Sequence, residues 1–220
     1  MWLNHLTLRN FRNYTDLEIH FPDAINLIVG NNAKGKTHLL EAIYFVSTAK
    51  SHRTHSDREL IHYDSDWFYL KARIGTLSAN LSLEDKVQFP VADWQRQVVR
   101  ECLPAGNELI VEASHEAEGQ KRFKLNGDLL PKLSEWVGQF RVVFFSPESL
   151  ILVKGSPGDR RRFLDQLICQ INPLYLSQLQ RYQSSLRQRN ELLKQIRNHR
   201  QSVDLLEPWD ELLVEDGVLI

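Results

Sequence analysis

The sequence predicts an α+β-like lobe followed by an all-helical lobe built as a helical hairpin arm. Three observations predict it. A short apolar run passes through a glycine-rich loop into an amphipathic helix within residues 25–48. Segments of strand composition recur as far as residue 145, and beyond Pro147 the apolar period becomes helical and stays so. The lobes are therefore placed at 1–147 and 148–220.

Leu17, Ile19 and Phe21 alternate with polar residues and stop at Pro22, the pattern of a half-buried strand. Ile25-Asn-Leu-Ile-Val29 is a short apolar run ended by Gly30 and reads as a buried strand. From Lys36 onward Leu39, Leu40, Ile43 and Val46 recur at helical spacing, which predicts a helix of about three turns. Further strands are predicted at 67–74, 78–83, 108–113, 121–125 and 140–145, with Asn126-Gly127 as a two-residue turn. Ser156 followed by Pro157 marks a helix start, because serine caps free N–H groups and proline suits the first helical position. That helix runs to about Gln170. Asn172-Pro173 then punctuates, and a long polar helix continues to about His199. Leu179, Leu186 and Leu193 repeat every seven residues, as do Tyr182 and Ile196 with Arg189 between them, which gives the narrow apolar seam of a helical hairpin.

A hydrophobic content of 42% over 220 residues supports a real core and excludes a wholly disordered chain. Mean hydropathy is −0.37, and no apolar run nears the roughly 18 residues of a membrane span. The first residues lack the basic and apolar regions of a signal peptide. Cys102 and Cys169 stand far apart, which points to free thiols in a reducing, cytoplasmic setting. The net charge of −1 excludes a uniformly basic nucleic-acid binder, yet it conceals an uneven distribution. Residues 150–203 carry ten basic and three acidic side chains, net +7, whereas 204–220 carry six acids and no base.

Gly30-Asn31-Asn32-Ala33-Lys34-Gly35-Lys36-Thr37 fits G-x-x-x-x-G-K-[ST] at every fixed position, with an apolar run before it and a helix after it. Phosphate binding needs this arrangement. Glycines let the backbone wrap so that N–H groups point inward, and the helix N-terminus adds partial positive charge. Lys36 is expected to reach the β- and γ-phosphates, and the Thr37 hydroxyl to ligate Mg2+.

The stretch Leu6-Thr-Leu-Arg-Asn-Phe-Arg-Asn-Tyr14, the loop, and His38-Leu-Leu-Glu-Ala-Ile43 together resemble ABC-type ATPases of the SMC and RecF kind. Within that group the chain resembles the RecF family. Lys50-Ser-His-Arg-Thr54, Phe145-Ser-Pro-Glu148, Val153-Lys-Gly-Ser-Pro-Gly-Asp-Arg-Arg-Arg-Phe-Leu-Asp165, Gln188-Arg-Asn-Glu-Leu-Leu-Lys194 and Pro208-Trp-Asp210 occur in that family's order. The resemblance implies an α/β, P-loop ABC-type ATPase lobe with a mixed β-sheet and an antiparallel helical arm, which binds ATP and Mg2+ and dimerises with ATP. It also implies a clamp on gapped, single-stranded or junction DNA, RecO and RecR as partners, and roles in recombinational repair, replication-fork maintenance and the SOS response.

The resemblance further implies a Walker B strand ending in an acidic pair and a signature loop of the Leu-Ser-Gly-Gly-Gln kind. Arg141-Val-Val-Phe-Phe145 ends instead in Ser-Pro-Glu. Leu133-Ser-Glu-Trp-Val-Gly-Gln139 echoes a signature loop but carries extra residues and precedes the arm, so it reads as a structural turn. The expectation is an N-terminal part of a longer protein, able to bind nucleotide but poor at hydrolysing it alone. A sheet without its Walker B strand should expose an edge or a core face and be marginally soluble.

The resemblance also places an early arginine, Arg12, near nucleotide, with Arg9 a weaker candidate. Lys50, His52 and Arg53 form a cationic loop suited to DNA or nucleotide phosphate. Glu148 falls at the position where the family senses Mg2+ and the attacking water. Arg160, Arg161 and Arg162 stand in a first helical turn, where the dipole disfavours cations, and so point to an anion such as DNA phosphate. At least one of them is expected to pair with Asp159 or Asp165. The eight histidines show no zinc-ligand spacing with cysteine. Two other readings stay open: a P-loop small-molecule kinase using the three arginines as a lid, against which the heptad helix argues, and a non-catalytic nucleotide-binding interaction module.

Overall fold

β1 (Trp2–Phe11) turns at Arg12-Asn13 into β2 (Tyr14–His20), and the two strands pair antiparallel with Leu6 opposite Ile19 and Leu8 opposite Leu17. The computed structural model describes residues 1–22, 25–54, 56–75, 108–198 and 201–220. Within them β3 (Trp67–Gly75), β4 (Glu108–Glu116), β5 (Arg122–Leu125) and β6 (Asp128–Leu129) extend the sheet in the order β2-β1-β3-β4-β5-β6. Every described ladder is antiparallel. The chain divides into two compact units, Met1–Phe145 and Ser146–Ile220.

One sheet face makes the core of the first unit. Leu6 and Leu8 of β1 lie opposite Ala72 and Leu70 of β3, which lie opposite Val111 and Ala113 of β4, and all six are buried. Helix α1 (Lys36–Thr48) supplies the other layer with Leu39, Ala42, Phe45 and Val46. Phe68 takes the rings of Phe11 and Phe45 edge-on, each with centroids 5.5 Å away. Each buried Leu, Val or Phe side chain among these contributes about 1.5–3 kcal/mol over its exposed state. The Asn126-Gly127 turn joins β5 to β6 with both residues at positive φ, 52° and 95°, as a type I′ turn requires.

Two sequence expectations change. The run 25–29 is extended but unpaired: Ile25, Leu27 and Val29 are 98%, 85% and 76% exposed, and only Ile28 packs against the core. The segment 140–145 is likewise outside every ladder, with Phe140 and Val142 turned to the core and Val143 and Phe145 exposed. A strand needs a neighbour's free N–H and C=O row; the sheet offers that at β2 and β6, and neither segment pairs with them. The strand expected at 78–83, and Cys102, lie outside the described residues. Conversely, β1 was not foreseen, because His5 and Thr7 are buried on the face opposite Leu6 and Leu8 and the strand shows no clean alternation.

In the second unit α2 (Pro157–Ile171) opens on a capping box: Ser156 Oγ accepts from Asp159 N–H, while the Asp159 carboxylate accepts from Ser156 N–H. Asn172 caps α3 (Pro173–Arg197) by accepting from Leu174 N–H at 3.0 Å. Tyr175 of α3 donates to Asp165 of α2 at 2.6 Å; burial and that carboxylate push its hydroxyl up to about 12. α4 (Glu207–Gly217) packs along α3, with Asp216 on Arg181 at 3.2 Å and Asp210 on Arg189. The two pairs run in opposite sequence order, so the helices are antiparallel. The acidic tail therefore sits partly on the basic block. No described helix is long and apolar enough to cross a membrane.

Candidate nucleotide-binding site

The 30–37 loop connects the extended 25–29 run to α1. Gly35 is the N-cap, at φ 92°, and no side chain caps the helix and no acid stands in its first turn. Glycine is needed here twice over. The left-handed backbone disfavours other residues, and a Cβ would lie 2.6 Å from Tyr14 Oη and 2.8 Å from Asn13 Nδ2. Lys36 folds back over the loop, its ammonium donating to the carbonyls of Gly30 at 2.6 Å and Asn31 at 2.8 Å. Asn31, Asn32, Ala33 and Lys34 are exposed, as is Thr37 at the start of α1. The uncapped helix end, the lysine and the adjacent hydroxyl thus share one turn of chain, which is the donor set a Mg2+-bound polyphosphate uses.

The β1–β2 turn lies against this loop. Asn13 Oδ1 and His38 Nδ1 are 2.8 Å apart, and Tyr14 reaches Gly35. Burial first, then the charge of Arg12, lowers the His38 pKa, while Glu41 opposes and Arg53 adds to the lowering.

Beneath the turn is a buried carboxylate. Glu41, on α1, is fully buried and accepts from Arg12 Nε at 3.0 Å and Nη2 at 2.7 Å. Arg12 also donates from Nη1 to the Glu59 carbonyl at 2.7 Å. Ser51 Oγ donates to Glu41 Oε1, and Arg53 Nη1 stands 4.0 Å from Oε2. Burial pushes the Glu41 carboxyl up, but the Arg12 and Ser51 hydrogen bonds with the Arg12 and Arg53 charges outweigh it, so the group titrates below the usual range.

The structure thus brings Arg12 and Arg53 to one acid beside the first turn of α1. Lys50 is exposed, with its carbonyl accepting from Thr48, and His52 packs its ring against Tyr44 and Phe144. Arg9 is exposed and 3.8 Å from Asp16. Glu148 falls in the 3₁₀ turn Pro147–Leu150 of the second unit. Arg160, Arg161 and Arg162 are exposed on α2, and Arg160 donates to the Gly155 carbonyl at 3.3 Å. No ion pair within 4.0 Å joins these arginines to Asp159 or Asp165 among the described residues; Ser156 and Tyr175 donate to those carboxylates, and the charges of Arg162 and Arg160 act on Asp159 from farther off. Leu133–Glu135 is a 3₁₀ turn whose following Trp136 is core, in contact with Phe123. Glu41, Asn13, Tyr14 and Ser51 were missed by sequence reasoning. The one available signal was an acid set directly between Leu40 and Ala42 in a largely apolar stretch, Leu39 to Val46.

A family model described as AAA ATPase domain matches residues 1–129. Along its whole length the chain is 40% identical to the DNA replication and repair protein RecF of Bacillus mycoides and to that of Bacillus cytotoxicus. It spans about half the length of these curated relatives, 51% in each case. Among solved structures it is similar to the recombination mediator protein RecF-ATP of the RecFOR pathway, with a TM-score of 0.80 and 32% identity over 98% of this chain and 51% of that one. An Smc head domain with an extended coiled coil from Pyrococcus furiosus shares the fold, with a TM-score of 0.52 and 20% identity over 99% of this chain and 54% of that one. The mononucleotide loop, the sheet and helices around it, and this whole-length similarity agree: the chain belongs to the AAA ATPase domain family, has a P-loop ABC-type ATPase fold, and is RecF-like throughout.

Proposed function

We propose that this chain is the ATP-binding part of a RecF-like DNA replication and repair protein. The observation that carries the reading is Lys36. Its ammonium rests on two neutral loop carbonyls, at the uncapped start of α1. Phosphate oxygens are stronger acceptors than carbonyls, so β- and γ-phosphates would draw the ammonium off Gly30 and Asn31. Backbone N–H groups of Gly30, Asn31, Asn32, Ala33, Lys34 and Gly35 would then line the phosphates, and Thr37 would hold Mg2+. Arg12 is a further cation for the nucleotide by family resemblance. The RecF-ATP similarity supports ATP as the nucleotide, and the relatives' names support a replication and repair role.

The wider reading follows the family. ATP drives homodimerisation of the whole protein, which clamps gapped, single-stranded or junction DNA and acts with RecO and RecR in the cytoplasm during recombinational repair and the SOS response. Lys50, Arg53, Arg160, Arg161 and Arg162 are the candidate phosphate contacts for DNA.

The test is the affinity of a fluorescent ATP analogue with Mg2+ for the wild type and Lys36→Met. A loss of about tenfold or more is expected, about 1.4 kcal/mol per factor of ten. Equal affinity overturns the reading. Binding of a gapped duplex, with and without ATP and across salt concentrations, tests the DNA part, since affinity should fall steeply with salt.

A further inference from the structure

Two of the cations assigned to phosphate converge on one acid that the motif does not include. Glu41 is fully buried on α1, five residues beyond Lys36, and faces Arg12 of the β1–β2 turn and Ser51 and Arg53 of the loop after α1. Three separate chain segments therefore meet on a single carboxylate. The two arginines are held differently. The Arg12 side chain is 16% exposed and bonded through both carboxylate oxygens, with Nη1 anchored on the Glu59 carbonyl. The Arg53 side chain is 46% exposed and stands 4.0 Å off.

A guanidinium has five N–H groups in a rigid fork. Three of those on Arg12 are committed to Glu41 and Glu59, which fixes the plane of the fork and leaves two for an incoming anion. Glu41 also screens Arg12 from Arg53, so two like charges can share the neighbourhood of the loop without mutual repulsion. We propose that Glu41 is a positioning residue for nucleotide binding: it locks the Arg12 guanidinium in a fixed orientation toward phosphate and keeps Arg53 loosely tethered as the exchangeable cation. The proposal rests on the ATP reading above, and a preset cation favours binding because little of its freedom is left to lose.

The experiment is a double-mutant cycle on the whole chain, read as fluorescent ATP-analogue affinity at a temperature well below each variant's melting point. Glu41→Gln and Arg12→Ala should each raise Kd by roughly tenfold, and the double variant should be no weaker than Arg12→Ala alone. Unchanged affinity in Glu41→Gln, or single penalties that multiply in the double variant, overturns the proposal. Arg12→Lys keeps the charge and removes the fork, so it should lose affinity nearly as Arg12→Ala does; wild-type affinity would overturn the proposal even if Glu41→Gln does not fold. A normal Kd for Lys36→Met would instead defeat the ATP reading itself. A Lys36→Met loss with an unaffected Glu41→Gln defeats only the positioning role.

Discussion

Arg12 Nε and Nη2 both donate to the Glu41 carboxylate, at 3.0 and 2.7 Å, across 29 residues of chain. The pair fastens the β1–β2 turn to the helix that follows the glycine-rich loop. Removing one partner of a buried pair leaves the other charge without compensation. Arg12→Ala should therefore destabilise the fold by about 3–5 kcal/mol, measured by urea denaturation at neutral pH. A loss below about 1 kcal/mol, the value of a surface pair, would show that Ser51 and Arg53 satisfy Glu41 without Arg12.

Acid should weaken the same contact. The Glu41 carboxyl titrates below its ordinary 4.5 in the folded chain, so its ionised form adds stability that is complete above that value. The contribution is lost as pH falls through the lower, folded value. Urea midpoints of the wild type and Glu41→Gln should differ most near neutrality and converge as the medium becomes more acidic than the folded carboxyl. A constant gap would mean that the carboxyl does not titrate as described.

His38 reports on its neighbours. Burial, then the Arg12 charge, depresses its imidazole below 6.5, with Arg53 acting in the same sense and Glu41 against it. An NMR titration should show His38 neutral at pH 7 and titrating below 6.5. Neutralising Glu41 as Gln should lower the midpoint further, since it removes a nearby charge that raises it. An upward movement would contradict the geometry.

Gly35→Ala tests the loop without touching a charge. Its Cβ would press on Tyr14 Oη and Asn13 Nδ2 from a backbone at φ 92°. The strain should cost about 1–3 kcal/mol. Because the turn must retreat from the loop, ATP-analogue affinity should fall with it. Full affinity in the alanine variant would separate the loop's geometry from its function.

Ser156→Ala should cost about 1 kcal/mol by removing the cap of α2. The loss is expected in the unfolding of the Ser146–Ile220 unit, followed by helical circular dichroism. No change would mean that water replaces the hydroxyl without cost.

The parts of this molecule written in local chemistry were legible beforehand. Gly30, Gly35, Lys36 and Thr37 announced the loop, Ser156-Pro157 the start of α2, Asn172-Pro173 that of α3, and Asn126-Gly127 the β5–β6 turn. The misreadings concern pairing at a distance. The 25–29 and 140–145 runs have strand composition, but composition cannot say whether a partner edge is free. Glu41 was illegible for the same reason: an acid on a helix gives no sign of an arginine 29 residues earlier. At least one of the three α2 arginines was expected to pair with Asp159 or Asp165, yet the close contacts of those acids come from a capping serine and from a tyrosine of the next helix.

The contacts of Asp210 with Arg189 and of Asp216 with Arg181 have a kinetic meaning. Read as a line of charge, α3 should draw polyanions from afar. With acids of α4 seated on two of its arginines, the helix pair presents to distant solution a closely spaced set of opposite charges whose field dies away faster than that of a lone cationic rod. At physiological ionic strength, with a screening length of about 8 Å, little steering survives beyond contact range. Encounter with a phosphate backbone on this surface would then proceed at an unassisted diffusional rate, with discrimination arising after touch, in how long the partner stays.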